Sequence, residues 1–135
     1  MDCIFCKIVK GEIPSSKIYE DDNYLAFLDI NPVAHGHTLV IPKAHTADIF
    51  DTPEGMLSGL IAAAKKVAKA VVCATAAEGV NFSINNGAAS GQAVFHIHVH
   101  LIPRKDADNL PPWPHGGYAS GEAEKLAEDI RRELS

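Results

Sequence analysis

The run His96-Ile97-His98-Val99-His100-Leu101 alternates imidazole and aliphatic side chains without a break. A period of two belongs to an extended strand, where successive side chains point to opposite faces. Ile97, Val99 and Leu101 make one face, which must be buried. His96, His98 and His100 share the other at intervals of about 6.6 Å. A solvated strand face more usually mixes Lys, Glu, Thr and Ser. Three imidazoles in a row admit three readings: a hydrogen-bonded or solvated polar face, a metal site, or catalysis by one neutral ring tuned by its neighbours. The segment leading in, Gly91-Gln92-Ala93-Val94, leaves a Gly-rich stretch that starts at Asn86. Such loops let backbone N–H groups approach a phosphate. Beside a row of imidazoles, that points to phosphoryl chemistry.

The flanking sequence gives the architecture. A short helix is expected after Asp2, its N-cap, with Ile4, Phe5, Ile8 and Val9 on one side and Gly11 and Pro14 closing it. Lys17–Tyr19 and Tyr24–Leu28 read as strands about the acidic turn 20–23, and Thr38–Ile41 as a third strand ended by Pro42. From Glu54 to Ala76, Met56, Leu57, Leu60, Ile61, Ala64, Val67, Ala68, Val71 and Val72 recur at helical spacing, with Lys65, Lys66 and Lys69 opposite. Pro53 suits this helix's start and Gly79 its end. Val80–Ile84 and Val94–Ile102 supply two more strands, and Gly121–Leu134 a last helix whose acidic first turn and basic last turn match the helix dipole. Strands that arrive in runs predict an α+β fold with an antiparallel sheet.

Composition narrows the partners. The 135 residues carry 12 Lys and Arg against 17 Asp and Glu, a net charge of −5, without the basic footprint of a nucleic-acid binder. No apolar run of about 18 residues exists, so no membrane span is expected, and the N-terminus lacks a secretory pattern, so the cytosol is the expected compartment. Three cysteines argue against a disulfide framework. Cys73 reads as a small buried hydrophobe. Cys3 and Cys6 have the spacing of a metal knuckle, but no second C-x2-C or finger-type His pair completes it.

Residues 91–102, GQAVFHIHVHLI, resemble the histidine triad signature, and residues 29–45, DINPVAHGHTLVIPKAH, resemble the other half of the same domain. The resemblance covers residues 3 to about 104. It implies a single domain over 1–135, with 105–135 as tail and helix. It also implies a five-stranded antiparallel sheet and a homodimer through the long helix and an edge strand, with a continuous ten-stranded sheet. Members are nucleotide hydrolases or transferases that act at the α-phosphate of nucleoside phosphoramidates or dinucleoside polyphosphates. The implied ligand is a purine nucleotide such as AMP, or a nucleoside phosphoramidate.

Carried over residue by residue, the resemblance makes His98 the nucleophile. The carbonyl of His96 holds its Nδ1–H, His100 contacts the phosphate or leaving group, and His37 organises the charge beside it. Asp29 stands at the ribose position, and Asn85, Gly91, Gln92, Ala93 and Val94 contact phosphate oxygens. Many relatives carry Ser or Thr where this chain has Ala93. The resemblance also implies structural zinc on Cys3, Cys6, His45 and His96. His35 and His115 fall in Gly/Pro-rich loops and read as exposed. Trp113 reads as a tail anchor packed on the body or on a partner subunit. Two readings stand against the enzyme: a nucleotide-binding or regulatory module with incidental turnover, and a metalloprotein that uses the triad itself as ligands.

Overall fold

The computed structural model describes residues 2–111 and 113–134. Pro112 of the Pro-rich tail, and the two end residues of the expected 1–135 domain, lie outside the described residues. The elements run α1 (Ile4–Val9), β1 (Lys17–Glu20), β2 (Tyr24–Leu28), β3 (Thr38–Pro42), α2 (Glu54–Thr75), β4 (Gly79–Ser83), β5 (Val99–Arg104) and α3 (Glu122–Leu134), with one 3-10 turn at Ala88–Ser90. All five strands join one sheet in the order β1-β2-β3-β5-β4, and every pair is antiparallel. The α+β expectation is met. No helix among the described residues is long and apolar enough to cross a membrane.

The period of two in β2 and β3 divides their side chains between two cores. Ala26 and Val40 face α2 and pack with Leu60, Ala64, Val67, Ile97, Val99 and Leu101. Leu25, Phe27, Leu39 and Ile41 face the other way and pack with Cys3 and Phe5 of the N-terminal segment. β3 is buried along its whole length, as a central strand covered on both faces must be. The acidic turn is a hairpin end: the Asp21 carboxylate accepts from the backbone N–H of Asn23 and Tyr24.

Several expectations are corrected. Cys3 rather than Asp2 caps α1, its Sγ accepting from Cys6 N at 3.4 Å, while Asp2 pairs with Lys7 at the surface. α2 ends on Ala76 in the left-handed conformation (φ 54°), so Gly79 is free to open β4. Cys73 is exposed, because it lies two residues past buried Val71 and therefore points away from the sheet. Ile61, on the edge of the same stripe, is also exposed. Hydrogen-bonded β5 begins at Val99, not Val94. The chain bends at Val94–His96 and joins the ladder only at Val99, and Ile97 N–H donates instead to Thr46 O at 2.8 Å. The alternation survives: Ile97, Val99 and Leu101 remain in the α2-side core.

Candidate active site and metal cage

The imidazole face is a set of three different environments. His96 is fully buried, and its Nε2–H donates to Pro42 O at 2.7 Å. That bond leaves the Nδ1 lone pair free. Nδ1 lies 3.5 Å from Cys3 Sγ, 3.6 Å from Cys6 Sγ and 3.2 Å from His45 Nδ1, and Cys6 Sγ lies 3.4 Å from His45 Nδ1. A tetrahedral zinc with bonds of about 2.3 Å to sulfur and 2.0–2.1 Å to nitrogen separates its ligands by roughly 3.5 Å (S to N) and 3.3 Å (N to N). The observed spacings match, and the four donor atoms all lie within 4.8 Å of one another. The Pro42 carbonyl is the outer partner that a metal-bound histidine needs to fix its tautomer.

His98 is buried on the same strand, two residues on. Its Nδ1–H donates to the His96 carbonyl at 2.8 Å, which leaves Nε2 with a free lone pair. Burial pushes its pKa down and keeps the ring neutral. Phe5 meets it edge-on, with centroids 5.1 Å apart, and also meets His96. A neutral imidazole with Nε2 bare and Nδ1–H pinned is oriented to act as a nucleophile.

His100 completes the row, its ring 4.8 Å from His98. Its Nδ1 is 3.0 Å from His37 Nε2, and His37 Nε2 is 3.7 Å from Asp29 Oδ2. Asp29, His37 and His100 thus form a second group of metal-capable side chains, but its proton pattern opposes a metal. Val33 N–H donates to His37 Nδ1 at 3.1 Å, so His37 carries its proton on Nε2, the atom a metal would need. This second group is a hydrogen-bonded relay. Burial, then His98 and His37, hold the His100 pKa down at about 4.

A cavity of about 390 Å³ opens over this face. Its floor includes Asp29, His98 and His100, its wall Gly91, Ala93 and Val94, and its apolar lining Ile4, Phe5, Ile8, Phe27 and Leu39. The volume suits a small ligand. A larger cavity of about 580 Å³ lies between α2 and β1–β2; it touches Asp29 and His37 but not His98.

The sequence profile of the HIT domain matches residues 10–107. The chain belongs to the HIT family. It is 42% identical over 139 aligned residues to adenylylsulfatase HINT3 of Arabidopsis thaliana, covering 98% of this chain and 70% of that protein. It is also 42% identical to adenosine 5′-monophosphoramidase HNT1 of Candida albicans, covering 98% and 91%. Among solved structures it resembles a zinc-bound histidine triad family protein from Mycobacterium smegmatis, with 42% identity, a TM-score of 0.79 and coverage of 99% and 96%.

Within this HIT domain, the residues expected at the site divide by what their atoms are free to do. Gly91, Ala93 and Val94 line the cavity. Asn85 lies behind Gly91, its Nδ2 within van der Waals reach of where a Gly91 Cβ would stand. Gln92 departs from the expectation: its side chain is buried and fully engaged, accepting from Gly87 N at 2.7 Å and donating to Ala47 O and Val94 O. It staples the Gly-rich loop, and its backbone N–H is spent there too, donating to Gly87 O at 3.3 Å. Gly87 and Gly91 both take positive φ, which the loop's tight course requires. His35 and His115 are exposed, as expected. Trp113 is 83% exposed, so it is not packed on the body. Sequence reasoning missed three partners: Phe5 as a wall of the histidines, and the Val33 N–H and Pro42 O that set their tautomers. Only Phe5 had a signal, since it lies between the two cysteines.

Proposed function

We propose that this protein is a nucleotide hydrolase or transferase acting at the α-phosphorus of purine nucleoside phosphoramidates or dinucleoside polyphosphates through a nucleotidyl-histidine intermediate on His98. The observation that carries the reading is the 2.8 Å bond from His98 Nδ1–H to the His96 carbonyl, which bares Nε2 beside the cavity. The names of the two relatives agree with it, since adenylylsulfatase and adenosine 5′-monophosphoramidase share an adenylyl group and differ in what is attached to it. The apolar lining of Phe5, Ile8, Phe27 and Leu39 suits a purine, and Asp29 suits the ribose hydroxyls.

In this mechanism Nε2 attacks phosphorus, the leaving group departs, and water cleaves the N–P bond. His96, His98, His100 and His37 form the catalytic row, with His96 contributing only its carbonyl. Asn85 and the backbone N–H groups of Ala93 and Val94 face the phosphate oxygens, where donors aimed at developing charge lower the barrier, whereas those of Gly91 and Gln92 donate within the loop to Ala88 O and Gly87 O. Cys3, Cys6, His45 and His96 would hold a structural zinc, whose role would be to fix the His96 ring, and His96 in turn orients His98 through its carbonyl. Reduced zinc thiolates suit the cytosol. A homodimer is supported by the open edge of β4 with exposed Phe82, and by exposed Ile61 and Cys73 on α2.

The test is AMP release from adenosine 5′-phosphoramidate and from diadenosine polyphosphates by wild type and His98→Ala. The variant should bind AMP with nearly unchanged affinity and lose at least about a thousandfold in turnover. Equal turnover by the two proteins would refute the mechanism, and AMP binding without turnover by wild type would favour the binding-module reading.

A further inference from the structure

The C-terminal helix presents an apolar row that the rest of the described chain leaves open. None of the 13 residues of α3 is buried. Leu126, Ile130 and Leu134 recur every fourth residue, share one face and are all exposed. A helix this short is marginal in water on propensity alone and depends on packing of its apolar face. Its polar positions carry five acidic side chains against three basic ones.

The groove between α2 and β1–β2 has the complementary form. Its volume is about 580 Å³, and its apolar walls include Ile18, Leu28, Val67, Ala70 and Ala74. Ile18 and Leu28 are exposed, although large and apolar. Lys66, Ala70 and Ala74 line it at every fourth residue of α2, the same spacing as the row on α3, and each row is about 12 Å long. Rows of this kind interdigitate when two helices pack. After Glu54, α2 carries Lys65, Lys66 and Lys69 and no acidic residue, in a chain whose net charge is −5. Lys66 lies over the Tyr19 ring, 5.0 Å from its centroid, and both line the groove. An apolar groove with a basic border fits an acidic amphipathic helix. Among the described residues lining it, none comes from α3 of the same chain.

We infer that α3 of one copy of this chain docks in the groove between α2 and β1–β2 of a second copy. The surface is neither the β4 edge nor the His98 cavity, so the inference stands apart from the chemistry proposed above. The connection suffices. Residues 105–121 join β5 to α3, and a chain of that length reaches up to about 55 Å. Between two copies joined edge to edge at β4, the path from β5 of one to β2 of the other crosses both β4 strands and then β5 and β3, about 24 Å in all. Asp29 and His37 also line the groove. A docked α3 covers their outer side, so the second copy supplies the outer wall of the relay that leads to His100.

The experiment places the photo-reactive residue benzoylphenylalanine at Ile130 of the full-length protein and, in a separate preparation, at Leu126. Both positions are exposed, so the fold of each copy is kept. After irradiation the protein is run on a denaturing gel, and the crosslinked peptides are mapped by mass spectrometry. The expected result is a band at twice the chain mass in which the α3 peptide is joined to the segment holding Ala70 and Ala74, or to Ile18 or Leu28. Ala70→Glu, which sets an anion in the groove against an acidic helix, should cut the yield of that band at least about tenfold. Crosslinks confined to single chains would overturn the inference, because α3 would then dock on its own copy. So would a double-mass band mapped to any other surface, or no crosslink from either position. An undiminished yield with Ala70→Glu would overturn the assignment to this groove.

Discussion

Replacing Cys6 with Ser should make the protein melt, with zinc present, where chelated wild type melts. The four donor atoms already stand at near-tetrahedral spacing, with His96 anchored on Pro42 O and Cys3 capping α1. A cage largely assembled by the fold gains from the metal by linkage, RT ln(1 + [Zn]/Kd), and not the whole binding energy of a zinc finger. At free zinc about a thousandfold above Kd that gain is ~4 kcal/mol. At roughly 3–5 °C per kcal/mol for a domain of this size, it corresponds to roughly 10–20 °C in Tm. A serine hydroxyl stays protonated at neutral pH and replaces a thiolate poorly. The assay is four thermal melts by circular dichroism: wild type and Cys6→Ser, each with zinc and with EDTA. Wild type should fall by the stated interval on chelation, and the variant should melt at the lower temperature in both buffers. A wild-type Tm that ignores EDTA, or a variant that shifts as far as wild type, would refute the cage.

Three further outcomes are expected. Phe5→Ala should cost about 3 kcal/mol in urea unfolding, because Phe5 is buried and packs edge-on against Phe27, His96 and His98; a loss below 1 kcal/mol would contradict its role as a wall. Gly59→Ala should destabilise by about 1 kcal/mol or more despite the helix propensity gained, since its Cβ would overlap the Tyr24 hydroxyl that donates to Met56 O; a stabilised variant would disprove that close approach. In the presence of EDTA, stability should decline as pH drops from about 6.5 toward 4. His37 and His100 have folded pKa values below the ordinary 6.5, His100 at about 4, so the unfolded chain binds more protons in that window. Above 6.5 their contribution is complete. Asp29 and His98 also face His100, the first favouring its charge and the second opposing it. Stability that rises on acidification through this window would contradict the buried neutral rings.

Much of this was legible in the residues, and the failures have physical causes. The stripe of Leu60, Ala64, Val67, Ala68 and Val71 gave α2, and the same spacing should have excluded Cys73, which falls off it. The alternation 96–101 placed its side chains correctly but overstated the ladder. Side chains alternate from Ile97 through Leu101, but the chain bends at Val94–His96 and Ile97 N–H is taken by Thr46 O, so the paired strand starts later than the alternation. The N-cap was misjudged because Asp is the commoner cap, while Cys3 turns inward toward His96. The Gln92 side chain faces its own loop and not a ligand, a choice set by Ala47 and Val94 carbonyls that no local pattern announces. The tautomers of His37, His96 and His98 depend on backbone atoms of Val33, Pro42 and His96, which every sequence carries and only the fold positions.

The central claim is that His98 Nε2 takes the nucleotide. Its most direct test is a mass spectrum of protein mixed with adenosine 5′-phosphoramidate and quenched without acid, wild type beside His98→Gly, followed by peptide mapping. The account predicts a nucleotidyl group on the wild-type peptide that contains His98, AMP in solution, and neither with the variant. AMP release by the variant at the wild-type rate, or an adduct mapped to any other residue, would contradict it.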